Sequence, residues 1–299
     1  MTRTNSLSIP APITHQRALI YVHIVALCFG LAGVFGHLVS ASATVITLGR
    51  ALCAVLTLII VGRLQRRPLL GTLTPQQIFT LVVSGSLLAA HWVTFFLAVK
   101  TGGIAVATLG FASFPAFTTL IEALVLRERV SAAEWAALVL VTLGLVLVTP
   151  SFDLADQGTV GLAWGVSSGL SFALLALTNR RGAVGMDPIR VACWQNVVVS
   201  LVMLPAAASQ LPSATAWDWV WMAMLGVFCT GLAHFLFVSS LAGIKASTAG
   251  LVIALEPVYG IAFAWALFGQ EPTTRMLAGG ALVIAAIAWS GLRRRRPKA

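Results

Sequence analysis

Two stretches of this 299-residue chain repeat one another, and the repeat constrains the fold more than any other feature. The first runs from His91 to Glu128 and the second from His234 to Glu271. His91 and His234 lie 143 residues apart, as do Glu128 and Glu271, while Pro115 and Pro257 lie 142 apart. Each stretch is an apolar run, a glycine-containing break, and a second apolar run with a proline near its middle. An ordered set of matches of this kind implies an internal duplication, and duplications inside membranes are characteristic of transporters.

Membrane residence follows from composition. Hydrophobic residues make up 59% and charged residues 9% of the chain, whereas a soluble domain carries about 25% charged residues. Ten apolar segments fall at about 18–39, 44–62, 76–99, 103–125, 132–149, 159–178, 188–208, 217–241, 246–268 and 276–292. Each is close to the ~20 residues that cross the hydrocarbon core as a helix. The short alternating segments of a barrel are absent. The fold class expected is therefore an all-α integral membrane protein with ten transmembrane helices. The run at 18–39 has a rival as a signal peptide, with Ala41-Ser42-Ala43 resembling a cleavage site; it is too long for that role, and the duplication needs it.

Charge placement orients the chain. With the N-terminus in the cytoplasm, 15 of the 19 Lys and Arg residues fall on the cytoplasmic side, including Arg3, Arg63, Arg127, Arg180 and the run Arg293 to Arg296. Lys100 and Arg275 fall outside, and Arg50 and Arg190 lie in or beside helices. This is the positive-inside pattern. The expectation is a cytoplasmic tail at 1–17, one repeat at 18–149, a second at 159–292, and a basic cytoplasmic tail at 293–299, all in one membrane domain of a bacterial-type inner (plasma) membrane. The net charge of +10 is thereby assigned to membrane anchoring, with no nucleic-acid partner. Five helices per repeat is an odd number, so the second repeat enters inverted, and a substrate site is expected at the interface.

These features resemble the EamA-type permeases of the drug/metabolite transporter superfamily. Each half ends in a proline-centred helix, a short loop with Glu, and a final Gly-containing helix. The first half reads SFPAFTTLIEALVLRERV, with Arg127 where the family usually has Gly; the second reads LEPVYGIAFAWALFGQEP. The family's aromatic-Gly pair appears as Phe29-Gly30 and Trp164-Gly165. The resemblance covers about residues 18–292. It implies export of metabolites or amino acids by alternating access, with the YddG-like amino-acid exporters as the branch of choice. Drug-like cations or sugar derivatives are the alternative cargo.

Polar groups inside the apolar runs are the candidates for the site. His91, with Trp92 and Phe95 near it, and its partner His234 are expected to line a cavity; a buried neutral imidazole can also simply bond a carbonyl. Arg50 and Glu256 are costly in a membrane interior and tend to face a wet cavity, Glu256 either paired, carrying its proton, or receiving a substrate ammonium. Trp164, Ser168 and Ser171 share a helix face, and Trp194, Gln195 and Asn196 sit together; small residues and Trp also serve packing and the interface. Glu122 is read as a partner of Arg127 or Arg129, and Glu128 and Glu271 as braces of the last helix of each repeat. Pro115 and Pro257 should kink their helices, with Gly110, Gly250 and Gly260 completing a hinge in each half. The four cysteines show no CxxC spacing, and no HExxH, GxSxG or Walker A motif is present. An enzyme, a metal site, a cofactor and an ATP-driven pump are not expected. The partners implied are a small-molecule substrate and the lipid bilayer, with the chain acting as a monomer.

Overall fold

A computed structural model of the chain describes residues 13–293 apart from Pro150, Phe152 and Lys245. Arg3, Arg294 to Arg296 and most of the tail assigned to 1–17 lie outside the described residues. The described residues form helices α1 (His15–Leu38), α2 (Ala43–Leu64), α3 (Pro75–Phe111), α4 (Phe114–Leu124), α5 (Ala132–Val148), α6 (Gln157–Gly182), α7 (Pro188–Ala207), α8 (Ala216–Gly226), α9 (Ala233–Ser240), α10 (Ala246–Ile253), α11 (Glu256–Phe268) and α12 (Thr274–Arg293). A π-helical segment, Val227–Leu232, joins α8 to α9. Among the described residues six stretches are long and apolar enough to cross a membrane: α1, α2, α3, α6, α7 and the continuous run Ala216–Ser240.

The helices start where side chains can replace the missing backbone acceptors of a first turn. Thr74, Ser131 and Thr215 form capping boxes with Gln77, Glu134 and Asp218. Asp156 and Asp187 cap α6 and α7. Gly103 breaks α3 at φ 82° and ψ 172°, a conformation open to glycine, so its two arms correspond to the third and fourth segments read from sequence.

Side-chain ties show which helix ends share a face. At the face where α1 begins, the His15 ring meets the Gly243 carbonyl, Arg67 meets Asp187, and Arg180 and Arg181 meet Glu128. At the opposite face, Ser40 donates to Asp218 and Lys100 to the Val39 carbonyl. These are called the near and far faces below. Helix α1 begins at the near face and α6 ends there, so the two repeats run in opposite senses.

The packing is correspondingly two-fold. Helix α1 packs on α9 and α11, and α6 packs on the two arms of α3 and on α4. Helix α2 packs on α8 as α7 packs on α3, while α2 with α7 and α5 with α12 are self-paired. Small residues mark the twin crossings. A Cβ placed on Gly165 would lie 3.1 Å from Gly110 Cα, and one on Gly30 would lie 3.0 Å from Gly260 N. The aromatic-Gly pairs are thus seams at which two backbones touch. One on Gly85 would meet the Gln195 carbonyl at 3.1 Å, and one on Gly226 would meet the Cβ of Cys53 at 2.5 Å. Close backbone approach of this kind is how helices gain packing contact where lipid supplies no hydrophobic drive.

The helices are interrupted just ahead of both prolines. Helix α3 stops at Phe111 and α4 begins at Phe114; α10 stops at Ile253 and α11 begins at Glu256. Pro115 and Pro257 therefore occupy the first turn of a new helix, where a missing N–H costs nothing. Both breaks are separated by the same 142 residues as the prolines. Two ion-pair readings also change. Glu122 pairs with Arg180 at 2.6 Å rather than with its loop neighbours, and Glu128 accepts from Arg180 and Arg181. The brace at the start of α5 is the Ser131–Glu134 box instead.

Candidate functional site: a central cavity between the repeats

A cavity of about 510 Å³ lies where the two breaks meet. Its wall is built from both repeats, with contributions from α1, α2, α3, α4, α6, α7, α9, α11 and α12. Leu58, Ala176, Asn179 and Ala192 extend the lining into the near halves of α2, α6 and α7. The far end is closed by the ties among Val39, Ser40, Lys100 and Asp218, and by Trp221 stacked on Phe35 at 6.0 Å.

One wall is aromatic. Phe111 stacks on Phe114 at 5.3 Å, and Phe172 stands edge-on to both. His91 lies against Phe111 at 4.9 Å and Phe172 at 5.1 Å. Ser168 fixes the imidazole. Its hydroxyl has one hydrogen, which it donates to the His91 carbonyl at 3.0 Å. The 2.7 Å contact from His91 Nδ1 to Ser168 Oγ is then an N–H donation, and Nε2 is left as an acceptor facing the cavity.

Arg50 closes the far end of the lining. It is buried, with its guanidinium carbon 3.9 Å from the centre of the Trp92 ring, a cation–π stack. Nε donates to Thr230 Oγ1 at 2.9 Å and a terminal nitrogen reaches the Cys229 carbonyl at 3.4 Å, both within the π-helical segment. A π turn widens the backbone, and such turns are frequent at functional sites. Glu256 is 7% exposed and opens α11 beside Pro257, both lining the cavity. It forms no ion pair with Arg50, and no hydrogen bond of its side chain is found among the described residues.

The twin positions carry unlike chemistry. Glu256 opens α11 where Phe114 opens α4. Arg50 lies seven residues into α2, and Gln195 lies seven residues into α7. Gln195 donates to Ser84 Oγ and to Asn179 Oδ1, both at 2.8 Å, and so ties α7 to α3 and α6. His91 and His234 are less closely matched than their spacing suggests. His91 lies six residues beyond Gly85, and His234 eight beyond the twin Gly226, with the π segment between. His234 Nε2 donates to the Pro188 carbonyl at 3.1 Å, and the residue still lines the cavity.

Of the residues singled out from sequence, Arg50, His91, Trp92, Phe95, Gln195, Asn196, His234, Glu256 and Pro257 line this cavity. Ser168 stands behind His91. Trp164 is 38% exposed on α6 and Trp194 donates Nε1 to the Leu69 carbonyl at 3.1 Å; neither is among the lining residues. Gly110 and Gly260 sit at the helix seams, Gly250 lies within α10, and Pro115 follows the first break. Sequence reasoning missed Phe111, Phe114, Phe172, Asn179 and the π-segment pair Cys229 and Thr230. The FASF run at 111–114 was the available signal for the first two. Among the described residues no group of three His, Cys, Asp or Glu side chains could hold a metal ion.

The EamA-like transporter family model matches residues 16–149 and again 159–292. The chain belongs to the EamA-like transporter family. It is 28% identical over 199 residues to an uncharacterized transporter of Archaeoglobus fulgidus, covering 66% of this chain and 71% of that one. It is 23% identical to the S-adenosylmethionine uptake transporter of Rickettsia bellii, covering 72% and 73%, and 24% identical to protein RarD of Escherichia coli, covering 72% of each. A protein of known crystal structure superimposes with a TM-score of 0.68 at 18% identity, covering 96% of this chain and all of that one. The EamA-like protein described here is therefore a membrane transporter, and its two family copies coincide with the inverted halves.

Proposed function

We propose that this transporter exports small zwitterionic or amphipathic metabolites, amino acids foremost, by alternating access through the central cavity. The observation that carries the reading is a single aromatic-walled cavity holding Arg50 and Glu256 without an ion pair between them. An amino acid supplies a carboxylate for the free edge of the Arg50 guanidinium and an ammonium for Glu256. Its side chain is left to the ring wall of Phe111, Phe114 and Phe172. A 510 Å³ cavity is within the ~300–1,000 Å³ of small-molecule sites.

The near face is assigned to the cytoplasm of a bacterial-type inner membrane, with both termini there, because Arg63, Arg66, Arg67, Arg127, Arg129, Arg180 and Arg181 all lie toward it. On that assignment the cavity reaches inward and the far-face ties form the closed external gate. The turn residues Ala112-Ser113 and Ala254-Leu255 are the hinges, since a helix break absorbs rotation with little loss of hydrogen bonding.

Counterflow of labelled phenylalanine, leucine and methionine in proteoliposomes tests the reading. Saturable exchange that fails in Glu256→Gln supports it, and no exchange of any amino acid refutes it. A purely cationic cargo is the second reading, favoured by Glu256 beside aromatic rings; inhibition by phenethylamine but by no amino acid would select it.

A further inference from the structure

Thr230 lies in the π-helical segment and lines the cavity together with Arg50 of α2. Its hydroxyl has one hydrogen, which it donates to the Leu225 carbonyl, five residues back, at 3.0 Å. The Nε–H of Arg50 can only donate, so at 2.9 Å it fills a lone pair of the same oxygen. Bonding to a preceding carbonyl is ordinary for a threonine in a helix. The bond from Arg50 has no such local explanation, since it joins two helices.

Three contacts hold the guanidinium, each in a different way. The Trp92 ring, 3.9 Å from the guanidinium carbon, fixes its plane but leaves it free to turn about the normal to that plane. The bonds to Thr230 Oγ1 and to the Cys229 carbonyl stop that turn. Nη1 is left over. It has no hydrogen-bond partner among the described residues and is not one of the atoms shut away from solvent, so on a residue of the cavity wall it is open to the cavity. The frame behind it is close-packed: a Cβ on Gly226 would strike the Arg50 carbonyl, and one on Gly231 the Thr57 methyl. The other repeat uses the same device, since Gln195, the twin of Arg50, is held by Ser84 Oγ of α3 at 2.8 Å.

We infer that Thr230 is a positioning residue for cargo selection, turning the free edge of the Arg50 guanidinium toward the carboxylate of the cargo. This deepens the proposed function and rests on it for the carboxylate itself. A guanidinium pairs with a carboxylate through two parallel N–H groups, a geometry that tolerates little rotation. Releasing Nε therefore weakens the hold on a carboxylate and leaves the ammonium end, at Glu256, as it was. Thr230 thereby sets the preference for cargo with both charges over cargo with an amine alone.

Calorimetric titration of the purified full-length protein with phenylalanine and with phenethylamine, which lacks the carboxylate, tests this. The wild type should bind phenylalanine more tightly. Thr230→Val, close in shape, should weaken phenylalanine roughly tenfold, the scale of one hydrogen bond to a charged group, and phenethylamine less than about twofold. Thr230→Ser restores the hydroxyl and should return phenylalanine to near its wild-type affinity. Thr230→Ala gives a second reading of the lost hydroxyl. Unchanged phenylalanine binding in Thr230→Val, equal weakening of both ligands in the Val and Ala variants, or no recovery in Thr230→Ser overturns the positioning role and leaves amino-acid transport standing. A wild type that binds phenylalanine no more tightly than phenethylamine refutes the carboxylate contact of the proposed function instead, and the positioning role falls with it.

Discussion

Replacing Gly110 by Ala separates a hinge from a seam. A Cβ at this position would lie 2.9 Å from Gly165 Cα, 3.0 Å from its carbonyl carbon and 3.1 Å from Val166 N. All three neighbours are backbone, so no rotamer change relieves them. Restoring a contact of about 3.5–4.0 Å requires α3 and α6 to part by roughly 0.5–1 Å, and such a gap forfeits a quarter to a half of each van der Waals contact along the seam. Overpacking of this kind costs about 1–3 kcal/mol, which for a chain of this size corresponds to a melting point lower by roughly 3–10 °C. Gly260→Ala should be milder, since its nearest neighbour is the Thr108 methyl at 3.1 Å rather than backbone. Intrinsic fluorescence of the nine tryptophans during heating in detergent reads both. An unchanged melting point in Gly110→Ala together with lost transport would refute the seam and restore Gly110 as a hinge.

Glu256→Gln keeps volume and removes the charge, so transport of ammonium-bearing cargo should fall at least tenfold, the scale of one charge-assisted hydrogen bond, as read by proteoliposome counterflow. Ser168→Ala strands His91 Nδ1–H and should lower transport several-fold through the loosened ring, as should His91→Ala; His234→Ala should cost less, and equal full activity in both histidine variants would refute the ranking. Arg180→Ala removes 2.6 Å contacts to Glu122 and Glu128 from a side chain that is 46% exposed. Each contact is worth about 0.2–1 kcal/mol, so the melting point should drop by a few degrees in low salt, and the gap from wild type should narrow in 0.5 M salt.

Helix positions were legible in sequence because the membrane enforces them: apolar length and breaker residues leave little freedom. Gly103 marks the turn between the third and fourth segments, and the prolines mark the breaks. That the interruption falls on the two residues ahead of Phe114 and Glu256 was less legible, since Pro115 and Pro257 lie in mid-run and mark only its neighbourhood. Glu122 was assigned to arginines nearby in the chain, because nothing local indicates that α6 brings Arg180 to the end of α4. The two tryptophans chosen beside polar residues, Trp164 and Trp194, share helices with the site but turn to other faces. Residues that owe their role to a distant helix are the ones that pattern alone misses, and Phe172 and Thr230 are of that kind.

The histidine pair that makes the duplication visible is not where the site differs most. Gly30 against Gly260 and Gly165 against Gly110 form corresponding backbone seams, because a Cβ on Gly30, Gly110 or Gly165 would meet the backbone of the facing helix. On the alternating-access proposal, corresponding seams permit corresponding movements, one opening each face. Chemistry is free to diverge wherever a side chain points into the cavity, and there it does: Arg50 against Gln195, Glu256 against Phe114. A symmetric cavity would offer two identical half-sites to an asymmetric cargo and hold it in two orientations. Setting the guanidinium and carboxyl on one side of the relation, and rings and amides on the other, would select a single orientation of the proposed cargo without disturbing the backbone symmetry on which the proposed movement rests.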